Sequence, residues 1–348
     1  MKTTRAHVVG PVFFDFVFSG LPTAPRPGTE VQASYLGISP GGAANIAVAL
    51  ARLGVDVAMS AVFADDPFGH YLWAALADEG IDLTYSATVG GWSTPVTSSV
   101  AIAGERQMVT YAEAPPVSAN DLFPMGRRAD AVIVSLADVS SSWLSMVRRD
   151  TPLVFADVAW EDDPVAASRQ LERLGLVDVF LPNAAEALAS TRCATVAEAA
   201  VALSLRGPLV VVKNGASGAL AVCPGSEAPV EVPAVPVDAR DTTGAGDVFD
   251  AGFVYGSLSG WPIDRRLRFA NLCAAESVKM VGGAFAAPCW LDLDAAHRAM
   301  RNQQLRRRYS FLDGAFAAAR PRRPCRRSLP GMDPACASGA AGAKVAPS

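Results

Sequence analysis

The sequence predicts an α/β fold: a central, mainly parallel sheet with helices on both faces and a small β-sheet lid. Three observations carry this. Short runs of Val, Ile, Leu and Ala recur along the 348 residues, separated by segments of helical length. The runs are apolar almost throughout, as strands covered on both faces are. Two stretches, Phe13–Leu36 and Pro95–Tyr111, break the alternation with period-2 patterning and Gly or Pro punctuation.

In chain order, strands are predicted at Ala6–Val9, Val57–Phe63, Ala131–Leu136, Leu153–Asp157, Val177–Leu181, Leu209–Lys213 and Ala219–Cys223. Ile46, Ala49, Leu50 and Leu53 recur at i, i+3, i+4 and i+7, which marks a helix, and Gly54 stands where a C′ glycine belongs. Pro67–Glu79 and Val165–Leu174 read as further helices. Thr97–Ile102 and Gln107–Tyr111 are strand-like, with Gly104-Glu105 between them as a hairpin turn. This small sheet reads either as a lid over a site or as an ordinary edge hairpin.

Composition excludes several classes. At 51% hydrophobic and 18% charged, the chain is too apolar to be disordered. No uncharged apolar stretch reaches the length of a membrane span, and the N-terminus lacks a signal-peptide core. Six cysteines show no CxxC spacing, so reduced cytoplasmic thiols are expected. Residues 301–348 hold 10 Lys/Arg and 2 Asp/Glu, a net +8, which leaves 20 and 32, a net −12, on residues 1–300. Such an acidic body does not suit nucleic acid. One domain is expected over residues 1–312, followed by a disordered tail at 313–348 rich in Arg, Pro, Gly and Ala. An RNA- or membrane-touching arm and a non-native extension are the other readings of that tail.

Two glycine-rich segments carry chemistry. Asp241-Thr242-Thr243-Gly244-Ala245-Gly246-Asp247 opens a helical run. The small residues let backbone amides approach an anion at a helix N-terminus, and Asp247 in the first turn could take a proton. As a helix cap, Asp247 would need no further role. Pro40-Gly41-Gly42-Ala43-Ala44-Asn45 opens the Ile46–Leu53 helix. It suits a hydroxyl-bearing ligand or, equally, a tight turn and a cap. The motifs GxxxxGK[ST], GxGxxG after a strand, and GxSxG are absent from the sequence.

Together these segments resemble the ribokinase-like (PfkB-type) family of carbohydrate kinases. The family's C-terminal signature matches from Asp241 to Val254, and its N-terminal signature matches as Gly41–Ala47 with Gly54. A more distal glycine is replaced by Ala64, before the acidic turn Asp65-Asp66-Pro67-Phe68-Gly69. The resemblance covers about residues 5–300. It implies ATP-dependent phosphorylation of a sugar hydroxyl, with Asp247 as catalytic base and Gly244, Ala245 and Gly246 as the anion-holding amides. It implies sugar binding by Asp15, Gly41, Gly42 and Asn45. Asn183 and Glu186 resemble the pair that supports Mg²⁺ and phosphate. Lys213, Gly215, Gly218 and Asn271 resemble nucleotide contacts, and Asp241 and Thr243 resemble a monovalent-cation site for potassium. It further implies a homodimer through the lid and neither a nucleic-acid nor a membrane partner.

Two departures bear on the substrate. Ala43-Ala44 stands where phosphosugar kinases of the family carry a Lys, and the acidic run Asp157–Asp163 stands where sugar kinases often show an Asn and an Arg. A neutral sugar of ribokinase or fructokinase type is therefore expected. A nucleoside kinase of the same fold and a non-catalytic sugar-sensing protein are the alternatives.

Overall fold

The structure, a computed structural model, describes residues 4–318 apart from 103, 104, 125, 159–169 and 227. Eight strands form the main sheet: β1 (Arg5–Val9), β4 (Asp56–Ser60), β9 (Ala131–Ser135), β10 (Leu153–Asp157), β11 (Val179–Phe180), β12 (Leu209–Lys213), β13 (Ala219–Val222) and β14 (Val230–Val232). Their order is β14-β13-β12-β11-β10-β9-β1-β4. The strands from β12 to β4 run parallel, and β13 and β14 extend one edge antiparallel.

Side-chain alternation splits this sheet between two cores. In β9, Ala131 and Ile133 enter one core while Val132 and Val134 enter the other; Val211 and the pair Val210 and Val212 divide likewise in β12. The first core is covered by α1 (Ala43–Arg52), α2 (Pro67–Asp78), α6 (Ala245–Leu258), α7 (Ile263–Ser277) and α8 (Trp290–Ala299). The second lies under α3 (Ser141–Val147), α4 (Ala184–Thr191) and α5 (Val196–Ser204). Both faces of the sheet are thus dry, which is why its strands read as apolar runs.

A separate four-stranded sheet holds β2 (Val12–Ser19), β3 (Tyr35–Gly42), β7 (Val96–Ile102) and β8 (Glu105–Tyr111), ordered β3-β2-β7-β8. It contains both segments expected to form the lid. It is mixed, because β2 and β7 pair in parallel. Phe14 of β2 packs on Phe68 and Tyr71 of α2 and anchors the small sheet to the body. The pairing Ile102↔Glu105 closes the expected hairpin; Glu105, expected in the turn, is the first residue of β8, and Gly104 lies outside the described residues.

Several boundaries differ from expectation. The run Val57–Phe63 is not one strand: Ala61 separates β4 from β5 (Val62–Ala64), which leaves the main sheet to pair with β6 (Ala87–Val89). The chain also stays ordered past Asp313. After α9 (Gln303–Arg308), α10 (Asp313–Ala318) places Phe316 against Trp290 and His297, a contact too short to register as periodicity. Most of the expected Val165–Leu174 helix and the rest of the predicted tail lie outside the described residues. Cys193, Cys223 and Cys273 are free thiols.

Candidate functional site

The parallel strands deliver their C-terminal residues to one edge, where α/β sheets bind ligands. Asp157 ends β10, Lys213 ends β12 and Asn183 follows β11. The N-terminus of α6 arrives at the same edge. Gly244 caps it in the left-handed region, φ +72°, with no side-chain hydrogen bond to its first amides. A Cβ on Gly244 would meet the Asn45 side chain at 3.2 Å, so this approach needs both a positive φ and the absence of a side chain. The following residues, Ala245 and Gly246, leave the turn open.

Asn45 lies in the first turn of α1 and is 4% exposed. Its Nδ2 donates to Asp247 Oδ2 at 2.8 Å, joining the two glycine motifs across 202 residues of chain. Its Oδ1 is buried with no hydrogen-bond partner. Asp247 is half-buried. Asp15 sits in β2 opposite Ser39 and is 7% exposed. Its carboxylate lies over Gly41. Gly42, φ +63°, ends β3 and caps α1, its own Cβ position blocked by the Pro11 carbonyl at 2.6 Å.

Below Asp247 lies a charged group. Lys213 Nζ bonds Asp250 Oδ2 at 2.8 Å and Asp157 Oδ2 at 3.2 Å. Burial works against its charge, yet the two aspartates hold its pKa above the usual lysine range. Carboxylate oxygens of Asp157, Asp247 and Asp250 lie within 4.8 Å of one another. Burial, then the charge of Asp157, raises the pKa of Glu186.

The remaining predicted residues divide between open and structural settings. Asn183 and Glu186 form a reciprocal capping box on α4, with Glu186 Oε2 accepting from Asn183 N at 2.7 Å and Asn183 Oδ1 from Glu186 N at 3.0 Å. Gly215, φ +53°, is exposed with open space around it. Gly218, φ +102°, packs its Cα face on the Val232 carbonyl, and Asn271 Nδ2 donates to the carbonyls of Val232 and Pro233 at 3.2 Å. Gly218 and Asn271 therefore meet on one wall. Lys213 Nζ is engaged by two carboxylates. The Asp241 carboxylate accepts from Thr243 N at 2.9 Å and Gly282 N at 3.1 Å, and Thr243 Oγ1 is buried without a partner.

Sequence patterning missed Asp250, Gly282 and Gly283. A charged residue inside the apolar face of α6 was the available signal for Asp250. Gly283, φ +51°, has no such signal; its Cβ would lie 3.1 Å from Ser39 Oγ and 3.7 Å from Asn45 Oδ1. Asp157, the first residue of the acidic run, shares the Lys213 ammonium with Asp250. The rest of that acidic run, Glu161 to Asp163, lies outside the described residues.

The pfkB family carbohydrate kinase pattern matches residues 8–289. The chain belongs to that family. Ribokinase from Haemophilus influenzae is 30% identical over 300 residues, 81% of this chain and 94% of that one. Bacillus subtilis ribokinase is 28% identical over 291 residues, covering 81% and 95%. Among solved structures, Cryptococcus neoformans ribokinase in complex with ADP matches with a TM-score of 0.70 at 23% identity, over 84% of this chain and 100% of that one. Arabidopsis thaliana ribokinase complexed with ribose and ATP matches with 0.68 at 22%, over 85% and 98%. At these identities the structures share the pfkB family fold. Among the described residues, no helix is long and apolar enough to cross a membrane.

Proposed function

We propose that the chain transfers the γ-phosphoryl group of ATP to a hydroxyl of a neutral sugar. The observation that carries this is the Asn45–Asp247 hydrogen bond at the uncapped N-terminus of α6. It puts a carboxylate beside the amides of a helix start that no side chain caps, where a phosphoryl group can be held, as the reaction requires. Asp247 takes the proton of the attacking hydroxyl. The hydroxyl oxygen bonds to Pγ as the bond to the β-phosphate oxygen breaks, and ADP leaves with that electron pair. The amides of Gly244, Ala245 and Gly246 receive the charge that builds on the transferred group.

Asp15 and the orphaned Oδ1 of Asn45 are acceptors for sugar hydroxyls, and Gly41 and Gly42 give the backbone room beside them. Ala43 and Ala44 add no cation, so a second phosphate on the substrate would lack a partner there. The wall of Gly218 and Asn271, with the open turn at Gly215, suits a nucleotide. Glu186, a hard oxygen donor beside Asn183, fits Mg²⁺, which when bound draws charge from the nucleotide phosphates. The buried carboxylate of Asp241 and the unpartnered Thr243 hydroxyl fit a potassium ion beneath the same loop. Exposed Leu36, Met108, Val109 and Tyr111 on lid strands support pairing of two lids in a homodimer.

The test is ADP release over a panel of neutral pentoses and hexoses, nucleosides and phosphosugars. The expected result is highest kcat/KM on a neutral sugar. Highest kcat/KM on fructose 1-phosphate or fructose 6-phosphate would refute the substrate assignment.

A further inference from the structure

Asp250 stands out within α6. It lies three residues after Asp247, one turn further on the same side of the helix, and is 0% exposed. A carboxylate there finds no water, and its Oδ1 has no hydrogen-bond partner. Its counter-charge comes from another element, the ammonium of Lys213 at the end of β12, which also holds Asp157 from β10. The Lys213 side chain is 12% exposed. Nζ lies 3.7 Å from where a Cβ on Gly246 would be, directly under the turn that presents Asp247.

We propose that Lys213 is the counter-ion of this carboxylate group, a positioning residue that keeps Asp247 ionised beside Asp157 and Asp250, and not a nucleotide ligand. The proposal rests on the kinase activity proposed above. Asp247 is bonded by Asn45 of α1 and shares one carboxylate group with Asp157 of β10 and Asp250 of its own helix, with Glu186 of α4 at longer range; Lys213 of β12 holds that group through Asp157 and Asp250. Lys213 brings a cation to this set. Without it, crowded carboxylates in a poorly solvated place relieve their repulsion by sharing a proton, and a protonated Asp247 accepts nothing. A salt bridge serving only to tie β12 to α6 needs one carboxylate; here the ammonium binds two, with a third close by.

Charge rescue separates the roles. Lys213→Met should lower kcat by at least about 100-fold, with KM for ATP and sugar changed less than about threefold. Lys213→Met combined with Asp250→Asn removes one charge of each sign. It should return kcat to within about tenfold of the unaltered chain. All rates are taken per folded enzyme, with a thermal melt alongside. A KM for ATP that rises in Lys213→Met and stays high in the double variant would overturn the proposal in favour of a nucleotide ligand. An unchanged kcat in folded Lys213→Met would overturn it in favour of a structural tie. If Lys213→Met does not fold, the double variant decides alone: kcat within about tenfold supports the proposal, and a loss beyond about 100-fold overturns it. No ADP release by the unaltered chain with any acceptor would overturn the kinase activity itself and this proposal with it.

Discussion

A missing Cβ lets Asp15 keep its place. Built on Gly41, a Cβ would lie 2.1 Å from Asp15 Oδ2, and Asp15 is too enclosed between β3 and β7 to step aside freely. Gly41→Ala should therefore displace the carboxylate and raise KM for the sugar by about tenfold, roughly 1.4 kcal/mol, while KM for ATP holds. Steady-state kinetics on the preferred sugar checks this; an unchanged sugar KM would remove Asp15 from the sugar site. Residues of this kind were legible where the requirement is local. Gly244 needs a positive φ beside a helix start, and Asp247 follows three residues on. The ion pairs of Lys213 were not legible. Its partners are 56 and 37 residues away in sequence, and nothing near Lys213 in the chain says which carboxylates the sheet will bring to it.

At the scale of elements, α6 and α7 pack unusually closely. A Cβ on Gly252 would stand 2.9 Å from Ala270 Cα and 3.2 Å from Cys273 Sγ, and one on Gly256 would stand 3.2 Å from Arg266 Cα. The neighbour at Gly252 is backbone and cannot rotate away. Gly252→Ala should destabilise the fold by about 1–3 kcal/mol through overpacking, outweighing the better helix propensity of Ala. Chemical denaturation measures it, and a stabilised variant would show that the two helices can part. The elements easiest to foresee, β1, β10, β12 and α2, are those whose patterning suffices alone. The β4–β5 break escaped because Val57 to Phe63 is apolar but for Ser60, and only the pairing with β6 shows that the chain changes sheets at Ala61. The α10 helix escaped because it is short and held mainly by Phe316.

For the molecule as a whole, the two cores meet in a sheet that also buries a titratable group. His7 of β1 is 2% exposed, bonds Ser60 through Nε2 at 2.8 Å and packs on Phe123. Burial, helped by the charge of Arg127, lowers its pKa to about 3. The unfolded chain binds this proton near pH 6.5 and the folded chain does not. Stability is full above pH 6.5 and falls by about 1.4 kcal/mol per pH unit as pH drops from there toward the folded value. Melting temperatures at pH 7 and pH 5 should differ less in His7→Gln than in the unaltered chain; an equal difference would show that His7 is not buried neutral. The same body brings Asn45, Asp157, Lys213 and Asp247 to one edge of one sheet, and phosphoryl transfer there is the central claim. Its most direct measurement is kcat of Asp247→Asn on the preferred sugar, with a thermal melt of the same sample. Asn can still cap α6, so the melt should change little, while loss of the base should lower kcat about 10²–10⁴-fold. A folded Asp247→Asn protein that keeps more than about a tenth of the unaltered kcat would contradict the assignment of Asp247 as the base.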